Sequence, residues 1–177
     1  MIEDVLGQPS MKSIRNMEPA YQDAENRALA STMFDPFYHA LNRMAAELVL
    51  NMAKVGWKGF DSASLSVIRQ SLEMKVRDDP DFWSAASLID LQAYEALAER
   101  KLASALVKIQ GEYEDLHSRV SAPWMWVSVY DQMQFVLPKY KVSTSENRAA
   151  DKLLKRLEAM AGPYERMTSG RPPNGVP

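Results

Sequence analysis

The stretch Asp35-Pro-Phe-Tyr-His-Ala-Leu-Asn-Arg-Met-Ala-Ala-Glu-Leu-Val-Leu-Asn-Met-Ala-Lys-Val55 decides the fold class. Its apolar residues Phe37, Leu41, Met44, Leu48, Met52 and Val55 recur in steps of three or four, which places them on one stripe of a helix. Asp35 can accept a backbone N–H as N-cap, and Pro36 suits the first helical position, where an amide would have no partner. Gly56 and Gly59 then end the helix.

The same pattern continues in both directions. Asp61 can cap a second helix with Leu65, Ile68, Leu72 and Val76 on its stripe, and Asp79-Pro80 repeats the Asp-Pro start signal. The helix that follows carries Trp83, Ala86, Asp90, Tyr94 and Leu97 on one face, and the next gives Leu102, Leu106, Ile109, Tyr113 and Leu116. Between them, Ala98-Glu-Arg-Lys101 holds neither Gly nor Pro. It reads as a tight turn, with one long helix as the competing reading. A further helix runs from about Pro123 to Tyr140, and the last from Ser143 to about Met160, with Ser143 and Glu146 at capping-box spacing. Residues 1–18 read as a loose arm, a short helix is expected from about Pro19 to Thr32, and the tail over 162–177 reads as disordered. No alternating run bounded by hairpin turns occurs, so no strand is expected. The expected fold is all-α: antiparallel helix pairs forming one domain over 19–161, a tetratricopeptide-like short α-solenoid or bundle.

Composition removes several functions. The net charge is −2 with 21 Lys and Arg against 23 Asp and Glu, without the basic excess that displaces counterions from phosphate, so nucleic acid is not an expected partner. No cysteine is present, which removes thiol nucleophiles and cysteine-ligated zinc. The apolar run Met44–Ala53 is far shorter than the roughly 20 residues of a membrane span. The N-terminus lacks a secretory pattern. A cytoplasmic location away from the membrane is therefore expected. His117 follows Glu114 at the spacing of a di-iron bundle, but that site needs a second such pair, and Pro36 stands three residues before His39. No cofactor or metal is expected. Neither a phosphate-cradling loop nor a Gly-x-Ser-x-Gly elbow occurs, and the chain does not read as an enzyme.

Asp90 is a charged group on an otherwise apolar stripe, and a buried carboxylate must be paired or hydrogen-bonded. Its reading is an inter-helix bond to a Gln, Asn or Tyr, or a polar floor for a bound peptide. Trp124 and Trp126 cannot both point inward from one helix face, so one of them belongs at a groove or contact surface.

Three segments, Phe34-Asp-Pro-Phe-Tyr-His-Ala-Leu-Asn42, Asp81-Phe-Trp-Ser-Ala-Ala-Ser-Leu-Ile-Asp-Leu91 and Trp126-Val-Ser-Val-Tyr-Asp-Gln132, resemble the tetratricopeptide-like TRAF-binding region of apoptosis-signal-regulating stress kinases and its bacterial relatives. Tyr38 with Asn42, Trp83 with Ala86, Ser87 and Asp90, and Ser128 with Gln132 stand in the family's order over about residues 34–140. Asp90 replaces the more usual Glu, and His39 a small residue. The resemblance implies an adaptor used in signalling or conflict systems, with motif residues that mainly stitch helices together. The expected function is accordingly a non-catalytic protein-interaction module whose partner is another protein. The competing reading is a small-ligand regulator or enzyme with an inter-helix pocket around Asp90, His39 and the nearby aromatic rings. Few helical pairs are present for a stable solenoid, so a homodimer covering an open end is expected.

Overall fold

The computed structural model describes residues 11–29, 36–54 and 56–163. Among these residues seven α-helices follow one another: α1 (Met11–Leu29), α2 (Pro36–Asn51), α3 (Ser62–Asp78), α4 (Phe82–Ala98), α5 (Leu102–Arg119), α6 (Pro123–Val136) and α7 (Thr144–Ala161), with a 3₁₀ turn at Leu137–Lys139. No strand occurs among the described residues, and no described helix is long and apolar enough to cross a membrane.

Helix boundaries follow the local chemistry. Asp61 caps α3 by accepting from the Ser64 amide. The start of α4 differs from expectation: Asp81, not Asp79, is the N-cap and forms a reciprocal capping box with Ser84, whereas Asp79 closes the end of α3. Between α4 and α5 the tight turn is the one present. The Lys101 amide bonds the Ala96 carbonyl and the Arg100 amide bonds the Leu97 carbonyl, a Schellman closure that puts Arg100 at φ 58°. The α6 helix stops at Val136 instead of Tyr140 because Pro138 has no amide hydrogen to continue it.

Ser143 caps α7 as expected, accepting from the Glu146 amide. The Glu146 carboxylate, however, does not turn back on its own helix. It accepts the Ala103 amide at 3.1 Å and the Tyr140 hydroxyl at 2.8 Å. Because Lys101 gives α5 no side-chain cap, α7 supplies one from 43 residues away.

The loose arm expected over residues 1–18 is corrected in part: α1 already begins at Met11 and runs through Pro19. Ile14 is wholly buried and Met17 packs against the core, so contacts with other helices order a segment whose own periodicity is weak. Arg43 of α2 reaches Glu25 of α1 at 2.7 Å and Glu47 at 3.1 Å, and burial pushes the Glu47 carboxyl above its usual range. Residues 1–10, 30–35, Val55 and the tail from 164 onward lie outside the described residues, and with them the expected helix end at Thr32, the Asp35 cap and the expectations for the first ten residues and the tail.

Successive helices pack as pairs, α4 on α5 and α6 on α7, with α1 laid on α2; α2 also touches α3, α4 and α6, and α5 touches α7. The stripes meet in one core. Phe37, Leu41, Met44 and Leu48 of α2, Met52 just past its end, and all five stripe residues of α5 are buried. Tyr94, Tyr113, Trp126 and Tyr140 are its largest wholly enclosed side chains. α4 is buried on nearly every side, as befits a central helix.

Candidate functional site

The contact of α2 with both α4 and α6 leaves a cleft of about 540 Å³ where the three helices converge. Tyr38 and Asn42, one turn apart on α2, face it. Trp83, Ala86, Ser87 and Asp90 do so from two turns of α4, and Ser128 and Gln132 from one turn of α6. Tyr38, Trp83 and Ser128 recur at an interval of 45 residues, the first two in the opening turn of α2 and α4 and the third one turn further into α6. Phe37, Leu41 and Val129 add apolar wall, and Asp81 contributes a second carboxylate.

Asp90 is the centre of this surface. It is only 7% exposed, and the Tyr113 hydroxyl of α5 donates to its Oδ1 at 2.5 Å. This is the inter-helix bond to a Tyr named above, and the same carboxylate also lines the cleft. Its Oδ2 accepts no hydrogen bond among the described residues. Burial pushes the Asp90 carboxyl up to about 7, against the pull of the Tyr113 hydroxyl, because losing most of its solvation disfavours the charged form more than one hydrogen bond restores. Burial, with Asp90 nearby, also holds Tyr94 and Tyr113 well above the ordinary tyrosine range.

The amides complete the polar floor. Gln132 Nε2 donates to the Tyr94 hydroxyl at 2.8 Å, which ties α6 to α4, and Asn42 Nδ2 donates to the Tyr38 carbonyl at 2.9 Å. Each has one amide hydrogen committed, while Gln132 Oε1 and Asn42 Oδ1 accept no bond among the described residues. The Ser128 hydroxyl bonds back to the Trp124 carbonyl at 3.4 Å.

The rim is aromatic. Tyr38 is 62% exposed, Trp83 42% and Trp124 52%, and the Trp83 and Trp124 rings lie 5.9 Å apart. Trp83 was expected on the packed stripe of α4. It sits in the first turn, where its ring leans on Phe82 and Trp124 instead of entering the core. The two α6 tryptophans divide as the helix geometry requires. Trp124 joins the rim. Trp126 is wholly buried, its indole N–H donating to the Val120 carbonyl at 2.6 Å and its ring packed against Phe82, Tyr113 and His117.

Of the expected site residues, Tyr38, Asn42, Trp83, Asp90, Ser128 and Gln132 thus share one cleft, Trp124 borders it through Trp83, and Trp126 belongs to the core. His39 does not line the cleft; its Nδ1 is buried without a hydrogen-bond partner among the described residues. Sequence reasoning passed over Tyr113 and Asp81. The available signal for Tyr113 was that a tyrosine on a buried stripe needs a partner for its hydroxyl, and Asp90 was the polar group to pair with it. No group of His, Asp and Glu among the described residues is arranged to hold a metal ion. No family model, curated protein or solved structure matches the chain.

Proposed function

We propose that this chain is a non-catalytic helical recognition module that binds a segment of a partner protein in the α2/α4/α6 cleft, as an adaptor does in signalling or conflict systems. The carrying observation is that three helices, α2, α4 and α6, each direct polar side chains into one cleft, joined by aromatic ones from α2 and α4. Tryptophan and tyrosine around a half-open depression are the side chains that dominate protein-binding surfaces, because they bury large area at low entropic cost. The three segments that resemble the TRAF-binding region are the ones that build the cleft, which supports a shared recognition role for them.

A small-ligand regulator is the second reading, favoured by a cleft volume of about 540 Å³, which falls in the range of small-molecule sites.

The test is comparative purification from the native cell of the tagged wild type and of Trp83→Ala and Tyr38→Ala, both exposed positions whose truncation leaves the core intact. A stoichiometric partner held by the wild type and lost from both variants, with unchanged thermal melts, is expected. Co-purification unchanged by either substitution sinks the reading.

A further inference from the structure

Resting on that reading, we infer that the partner segment is anchored by an arginine, whose guanidinium enters the cleft between the aromatic rim and Asp90. Among the residues that line the cleft, Asp90 Oδ2, Gln132 Oε1 and Asn42 Oδ1 accept no hydrogen bond from the described residues. A cation that donates to the Asp90 carboxylate is therefore complementary, and the two amide oxygens are acceptors for its remaining N–H groups. Two carboxylates, Asp90 and Asp81, line the cleft and no described lysine or arginine does; Lys75 lies 3.7 Å from Asp81, so Asp90 is the carboxylate without an ion-pair partner among the described residues.

Shape selects among cations. A guanidinium is planar, offers five N–H donors and stacks on aromatic faces, and the exposed rings of Trp83 and Tyr38 line the same cleft. An ammonium is compact and strongly hydrated, and has no plane to lay on the rings. A segment, more than a free small molecule, accounts for the apolar surface of Trp83 and Trp124 that extends beyond the acceptors onto the outer rim.

The anchor also explains a costly feature of the fold. Asp90 is held with one hydrogen bond and with burial opposing its charge, so a cation supplies the missing counter-charge. Tyr113 from α5 bonds it and Tyr94 from its own helix feels its charge; Gln132 and Ser128 from α6 and Tyr38 and Asn42 from α2 line the same cleft, as does Asp81 with its ion-pair neighbour Lys75. The two buried tyrosines stay protonated across the neutral range.

The experiment titrates the full chain, ¹⁵N-labelled, with Ac-Ala-Arg-Ala-NH₂, with its citrulline counterpart and with agmatine, following the tryptophan indole signals. Saturable shifts of the Trp83 and Trp124 indoles by the arginine peptide are expected, with Trp126 little moved. Citrulline in place of arginine, or Asp90→Asn in the protein, should weaken binding by about tenfold or more, since a charge-assisted bond becomes a neutral one. Affinity should rise about tenfold from pH 6 to pH 8 as Asp90 ionises. A purely structural Asp90 would give no such profile. Equal binding of the citrulline peptide, or a flat pH profile, overturns the arginine anchor, and agmatine binding as tightly as the peptide overturns the peptide source. If both peptides fail while Trp83→Ala still loses the native partner, the anchor falls and the module stands. If Trp83→Ala keeps the partner, the module itself falls.

Discussion

Asp90→Asn separates ionisation from hydrogen bonding at the centre of the cleft. Asparagine keeps an acceptor for the Tyr113 hydroxyl and fills nearly the same volume, but carries no charge at any pH. In the wild type, burial raises the Asp90 carboxyl from 3.8 to about 7, so between these values the folded chain holds a proton that the unfolded chain has released. Stability from this group is fully present below the unfolded value and is lost as pH rises through the folded one. The whole window is worth roughly 4 kcal/mol, of which about 2–3 kcal/mol falls between pH 5 and pH 8. Against a typical domain stability of about 5–15 kcal/mol this is a large fraction. Urea unfolding of wild type and variant, followed by helical circular dichroism at pH 5, 6, 7 and 8, reads the effect as a difference between two curves, so other titrating groups cancel. The variant should gain on the wild type by about 2–3 kcal/mol over that range. A difference that stays flat from pH 5 to pH 8 would refute the argument, because it would mean that Asp90 is already charged, and solvated, throughout.

Trp126→Phe removes the indole N–H from the Val120 carbonyl and leaves a void in the wholly buried centre, so a loss of about 2–3 kcal/mol in chemical denaturation is expected. Glu146→Ala strips α5 of its tertiary cap and leaves the Tyr140 hydroxyl unpaired; it should cost about 2–3 kcal/mol, with Glu146→Gln recovering most of it in the same assay. Arg100→Gly relieves a left-handed backbone at φ 58° and should stabilise by about 0.5–1 kcal/mol, read as a raised melting temperature.

Much of the frame was legible in the chain because helix-forming patterns are local. The stripe Phe37–Met52 reports the buried side of α2 without reference to any neighbour, and Asp61 and Ser143 cap the helices they precede. The segments carrying the site were legible for the same reason: Tyr38 with Asn42 and Ser128 with Gln132 are four residues apart, so each pair shares a helix face.

Other features depended on what lies across the gap between helices. α4 is apolar around nearly its whole circumference, so periodicity alone does not say that Trp83 faces outward while Phe82 turns in. Glu146 has capping-box spacing in the sequence, yet an uncapped α5 amide and the Tyr140 hydroxyl draw its carboxylate away. The start of α1 at Met11 rests on the burial of Ile14 and on Arg43 reaching Glu25, contacts with no trace in the local pattern. The sequence by itself determined the helices and the faces they carry. The tertiary structure decided that three such faces close on Asp90, because burial and charge at a point depend on every helix that reaches it, while periodicity describes one helix at a time.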